Sequence, residues 1–164
     1  MTSIDADTSA ANVIKLFTNV LFEVFITGTS KGGIGTETTI ALASTSPKYI
    51  ILASRNESKV ASVIEEIKKI NLTVEVTLLE MDLADSSSVR KAATKIKAAT
   101  YEIDGLINNA NVMAVKKYTT PKNGIETQFA SNHVGHFLLT NLFIDEIVAS
   151  GKGATIVNVT SLGH

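Results

Sequence analysis

Five short β-rich runs, set apart by helix-length patterns, leave this chain few ways to fold. From Leu21 onward they are Phe22–Thr27, Tyr49–Ala53, Leu72–Leu79, Gly105–Asn108 and Ala154–Thr160. Strands that alternate with helical patterns imply a parallel sheet wrapped by helices. Four of the runs are near-continuously apolar, as strands covered on both faces must be. The third alternates Val74, Val76 and Leu78 with Thr73, Glu75 and Thr77, the pattern of an edge strand. A doubly wound α/β sheet of order 3-2-1-4-5 places it at an edge, because the chain runs outward from strand 1 and then crosses back to its other side.

The crossovers carry ordinary helix signals. Asn56 is positioned to cap a helix with Val60, Val63, Ile64 and Ile67 on one face and a Glu65/Lys69 pair outside. Asp85 or Ser86 caps the next, with Val89, Ala93 and Ile96 turned inward. A longer helix is expected from about Gly124 to a stop at Gly151, with Phe129, His133, Phe137, Ile144 and Ile147 at helical spacing on its packing face.

Composition sets the outer limits. With 164 residues, 45% of them apolar and 19% charged, the chain reads as one globular domain over residues 21–164 behind an N-terminal arm, residues 1–20. Fifteen basic residues against sixteen acidic ones leave no field to attract nucleic acid or anionic lipid, so neither is an expected partner. The absence of cysteine fits a reducing compartment, and a cytoplasmic location is expected. Asn19 and Glu23 interrupt the most apolar early stretch, so no membrane span is expected, and Asp5 and Asp7 argue against a secretory leader.

The sharpest chemical signal is Thr27-Gly28-Thr29-Ser30-Lys31-Gly32-Gly33-Ile34-Gly35, which follows the first strand and opens a helix. A dinucleotide needs that placement: glycines let the backbone approach a pyrophosphate, and the free amides of the helix N-terminus face the anion. A Walker loop is excluded, because its lysine follows the glycines whereas Lys31 precedes Gly32 and Gly33.

Four further stretches stand in matching order: Asp82-Leu83 after strand 3, Asn108-Asn109-Ala110 after strand 4, Asn132-His133-Val134-Gly135-His136-Phe137 in the long helix, and Ile156-Val157-Asn158-Val159-Thr160-Ser161 on strand 5. Together with the glycine loop, the chain resembles the short-chain dehydrogenase/reductases over nearly everything from Phe22 to His164. Ser54-Arg55-Asn56, the Asn-His-x-Gly-His-Phe run and Ser161-x-x-His164 look most like the retinol-dehydrogenase-like members and their fungal relatives.

The resemblance implies a Rossmann fold and hydride transfer between a nicotinamide cofactor and a small, lipophilic alcohol or carbonyl compound. It implies a pyrophosphate cradle of Gly28, Ser30, Gly33, Ile34 and Gly35. Ser54 stands where an NAD-preferring member places an acid, and Arg55, which follows directly, offers a cation to a 2'-phosphate, so NADP is favoured over NAD. Asp82, with Leu83 beside it, would hold the adenine, and Asn109 would line its ribose. Ser161 matches the serine that hydrogen-bonds the substrate oxygen, and Asn132 the asparagine that holds a relay water. An S-adenosylmethionine methyltransferase shares the glycine loop but wants an acid closing strand 2, and Arg55 argues against it. His133, His136 and His164 lack metal-site spacing and read as packing or surface residues, so no metal is expected.

Three features depart from the family pattern. Four residues, not three, separate Gly28 from Gly33, a lengthening associated with fungal members, which raises secondary metabolism as a setting. Asn111 replaces the usual glycine after Asn-Asn-Ala; asparagine tolerates a left-handed backbone, and its side chain is expected to crowd the nicotinamide side. Tyr49, Tyr101 and Tyr118 all precede strand 5, so by position none matches the Tyr-x-x-x-Lys pair that follows it in the family. The expectation is a catalytically incomplete sheet whose exposed fifth strand favours self-association. The alternative to an enzyme is therefore a nucleotide-binding or assembly module.

Overall fold

The computed structural model describes residues 23–100, 102–121, 124–151 and 153–161. The N-terminal arm, Phe22 and His164 lie outside those residues. Five strands form one parallel sheet: β1 (Glu23–Thr27), β2 (Tyr49–Ser54), β3 (Glu75–Glu80), β4 (Gly105–Asn108) and β5 (Thr155–Asn158), in the order β3-β2-β1-β4-β5. The doubly wound order expected from the apolar pattern is the order found. In register, Phe25 sits between Ile51 of β2 and Leu106 of β4.

Helices α1 (Ile34–Ala43) and α2 (Ser58–Ile70) cover one face, and α3 (Ser86–Lys97) covers the other with the segment before β5. Side chains of β1 alternate between the two layers. Val24 and Ile26 join Leu52, Val60 and Val63 in one, whereas Phe25 packs with Val89, Leu106 and Phe143 in the other. Asp85 takes the expected role as a cap, its Oδ1 accepting from the Ser87 amide at 2.9 Å, whereas the N-cap of α2 is Glu57 and Asn56, one residue before it, closes a side-chain turn in which its Oδ1 accepts from the Ser58 amide at 2.9 Å. Among the described residues no helix is long and apolar enough to cross a membrane.

Two expectations need correction. The third strand does not begin at Leu72, which is 81% exposed. Asn71 Oδ1 accepts from both the amide (3.0 Å) and the hydroxyl (2.7 Å) of Thr73, so a side-chain turn holds this segment out of the sheet. The helix expected from Gly124 to Gly151 is broken into α4 (Thr127–Phe129), a π-helical turn (Ala130–Val134), α5 (Gly135–Leu142) and α6 (Ile144–Ser150). Its buried positions are Ala130, Ser131, Gly135, His136, Leu139, Phe143 and Ile147, while Phe129, His133, Phe137 and Ile144 are exposed. The extra residue of the π turn shifts the helical phase, so of the expected stripe only Ile147 is buried.

Candidate functional site

All five strands are parallel, so their C-terminal ends share one edge of the sheet, and β1 has β2 on one side and β4 on the other. Chain leaving β1 and β4 in opposite directions opens a crevice there. A cavity of about 590 Å³ occupies it, walled by the glycine loop and the segments after β2 and β4.

The glycine loop is locked from both sides. Gly28 has φ +74°, its amide donates to Ala53 O at 3.0 Å, and a Cβ there would lie 2.4 Å from Ala110 Cα. A Cβ on Gly35 would lie 2.4 Å from Asn109 Nδ2, which donates to the carbonyls of Thr27 (2.9 Å) and Gly28 (3.0 Å). Asn109 thus bolts β1 to the segment after β4. The lengthened loop closes on Ser30, whose carbonyl accepts from the Gly33 amide at 2.9 Å and the Thr36 hydroxyl at 2.6 Å. Gly33 is the N-cap of α1 and offers no side-chain cap, and the first helical residues, Ile34 and Gly35, line the cavity. The buried Thr29 hydroxyl has no hydrogen-bond partner among the described residues. An unsatisfied buried hydroxyl costs about 1–3 kcal/mol, and this one, in the loop that lines the cavity, is available to an acceptor that enters there.

At the β2 end, Ser54 and Asn56 are held within their own turn, the Asn56 amide donating to Ser54 Oγ at 3.2 Å. Arg55 and Lys59 are exposed and line the cavity, and among the described residues no carboxylate lines it. Lys59 was not singled out from the sequence, although its place four residues after Arg55 at a helix start was a usable signal. Met81 and Leu83, both buried, supply an apolar wall. Asp82, between them, does not line the cavity; its Oδ1 accepts from the Ala84 amide at 3.0 Å.

The β4 side is held by Asn132. Its Oδ1 accepts from the Val112 amide at 2.7 Å and its Nδ2 donates to Val112 O at 2.8 Å, so this side chain splints the main chain after Asn111. Asn111 lines the cavity without a left-handed backbone; the positive φ falls at Ala114 instead, at 57°. Ser131, which no motif marked, and Val159, from the strand 5 stretch, also reach the cavity. Ser161, exposed beyond β5, does not line it.

His136 is neither a surface residue nor simple packing. It is 7% exposed, with Nε2 2.9 Å from Thr27 Oγ1 and Nδ1 3.0 Å from Asn132 O. Burial lowers its pKa below the usual imidazole value, and the Asn132 carbonyl opposes this in part.

The sequence holds one Tyr-x-x-x-Lys interval, Tyr118 and Lys122, which precedes β5. Tyr118 is 80% exposed outside any helix or strand, does not line the cavity, and is followed by Pro121, which lacks the amide a continuing helix needs. Lys122 lies outside the described residues.

Comparison with known proteins gives this geometry its context. Human retinol dehydrogenase 13 is 41% identical over 141 residues, covering 86% of this chain and 41% of that protein. The oxidoreductase fscI of Fusarium equiseti is 34% identical over 142 residues, covering 85% of this chain and 55% of that protein. The chain spans about half the length of these relatives. A metagenomic short-chain oxidoreductase, solved in complex with NADP, superposes with a TM-score of 0.74 at 28% identity, covering 88% of this chain and 63% of that one. An NADH-dependent reductase complexed with NAD shares the fold with a TM-score of 0.70 at 20% identity, covering 89% of this chain and 62% of that one. A family model described as short chain dehydrogenase matches residues 23–163, and the chain belongs to that family, on its retinol-dehydrogenase-like side.

Proposed function

We propose that this chain binds NADP in the cavity at the C-terminal edge of the sheet, as the cofactor-binding part of an oxidoreductase acting on a small, lipophilic alcohol or carbonyl compound. The observation that carries the reading is the pair Arg55 and Lys59, two cations on a cavity wall that has no carboxylate among the described residues. A ribose 2'-phosphate meets opposite charge there, whereas a ribose 2'-hydroxyl finds no acid to accept its proton. Gly28, Ser30, Gly33, Ile34 and Gly35 would hold the pyrophosphate, with the Thr29 hydroxyl gaining the acceptor it lacks. Met81 and Leu83 would flank the adenine. When bound, the cofactor supplies a hydride donor or acceptor.

The NADP complex of the metagenomic oxidoreductase supports the cofactor, and the names retinol dehydrogenase and polyprenol dehydrogenase among the relatives support a lipophilic alcohol. Matches to Fusarium and Penicillium proteins support a fungal setting for the reaction. The test is equilibrium titration of NADPH and NADH by fluorescence. Hydrogen bonds to charged groups contribute about 1.5–3 kcal/mol, so NADPH binds roughly tenfold or more tightly, and Arg55→Ala or Lys59→Ala narrows the gap. Equal affinities, or a gap unchanged in both variants, would remove the cations from the reading.

A second reading, nucleotide binding without turnover by these 164 residues alone, is favoured by one observation. Tyr118, the one tyrosine of the sequence with a lysine four positions later, does not line the cavity. General acid/base catalysis supplies about 10²–10⁴ in rate. NADPH oxidation against a panel of quinones, aldehydes and ketones tests this. Robust turnover abolished by Ser161→Ala would reject the second reading.

A further inference from the structure

We infer that His136 is a positioning residue for the β4 side of the cavity, acting as a neutral Nδ1–H imidazole that anchors the π-helical turn carrying Asn132 to the Thr27 hydroxyl at the foot of the glycine loop. The inference deepens the NADP reading and rests on it for the effect on cofactor. The tautomer follows from counting donors and acceptors. A threonine hydroxyl has one proton and accepts two hydrogen bonds. The amides of Asn109 and Ala110 donate to Thr27 Oγ1 at 3.0 and 2.9 Å, which uses both acceptor sites. The remaining hydroxyl proton has two candidate acceptors, His136 Nε2 at 2.9 Å and Ile107 O at 3.4 Å, and the nearer is the imidazole. Nε2 therefore carries a lone pair. The other end of the ring requires the same form, because Asn132 O, 3.0 Å from Nδ1, only accepts.

The anchor has consequences at the cavity wall. Asn132 lies in the π turn, and both ends of its amide hold the main chain of Val112, which lines the cavity beside Ser131. A continuous path thus runs from the glycine loop through Thr27, His136 and Asn132 to Val112. Arg55 and Lys59, on the β2 side, are outside it. In a dinucleotide lying across the crevice, the path supports the nicotinamide half and leaves the adenosine half untouched.

The test compares wild type with His136→Phe, which fills the space without either ring nitrogen. Amide hydrogen exchange should show protection of Val112 lost by about tenfold, with β1 and β2 amides as protected as in wild type. NADPH affinity should fall about tenfold while adenosine 2',5'-bisphosphate, which lacks the nicotinamide half, binds within about twofold of wild type. Equal losses for both ligands would mean general loosening and would overturn the inference, as would unchanged Val112 protection. A wild-type chain that binds neither ligand removes the NADP reading, while Val112 exchange still decides on His136. Should the variant not fold, long-range proton–nitrogen NMR of the wild-type ring at neutral pH decides: Nδ1–H is expected, and Nε2–H or a charged ring refutes it.

Discussion

Replacing Thr27 with valine keeps the shape of the side chain and deletes one hydroxyl at the centre of the site. That hydroxyl accepts from the Asn109 and Ala110 amides at 3.0 and 2.9 Å and lies 2.9 Å from His136 Nε2, in a residue with no exposed surface. A buried donor left without a partner costs about 1–3 kcal/mol, and two amides are left so. Because both are adjacent and partly buried, their costs do not simply add, and a loss of about 3 kcal/mol is expected. For a domain of this size that lowers Tm by roughly 6–12 °C. Thr27→Ser is the control: it keeps the hydroxyl, loses one methyl group, and costs about 1 kcal/mol. Urea unfolding followed by circular dichroism reads both variants. If Thr27→Val were within about 0.5 kcal/mol of Thr27→Ser, the hydroxyl would not hold the three segments together.

The depressed pKa of His136 makes stability depend on pH. The unfolded state takes up the proton first, so stability is complete above the ordinary imidazole pKa of about 6.5 and falls as pH drops below it, by at most about 1.4 kcal/mol per unit. Urea melts between pH 5 and pH 8 should show this slope, and His136→Gln should flatten it. Gly35→Ala places a methyl group against the Asn109 amide, so a loss of about 1–3 kcal/mol is expected together with weaker NADPH binding; an alanine variant of wild-type stability would contradict the close packing. On β5 and directly after it, Ile156, Val157 and Val159 are 37%, 42% and 40% exposed at the edge of the sheet. Light scattering should therefore show self-association that Val157→Lys reduces, and no change would clear the strand of responsibility.

Strand order was legible because burial on both faces leaves a plain mark: β1 and β4 are short apolar runs, and β3 alternates. The glycine loop, Arg55 and Asn109 were legible as motifs, and the structure brings all three to one cavity. The helical segment after residue 126 was not. Its buried face is built of Ala130, Ser131, Gly135 and His136, small or polar residues stepped by five across the π turn, whereas hydrophobic periodicity finds Phe129 and Phe137, which are exposed. The Thr27–His136–Asn132 path was hidden for a related reason. Residues 109 positions apart meet only once the sheet has formed, and a histidine in an apolar helix carries no sign of its partner.

The most direct test of the account is a chemical-shift map of the amides on titration with NADPH. The largest changes are expected in Gly28 to Gly35, at Arg55 and Lys59, and at Asn111 and Val112, with the α3 helix and the β3 edge silent. Changes concentrated away from the C-terminal edge of the sheet, or none at saturating NADPH, would contradict the assignment of this cavity as a dinucleotide site.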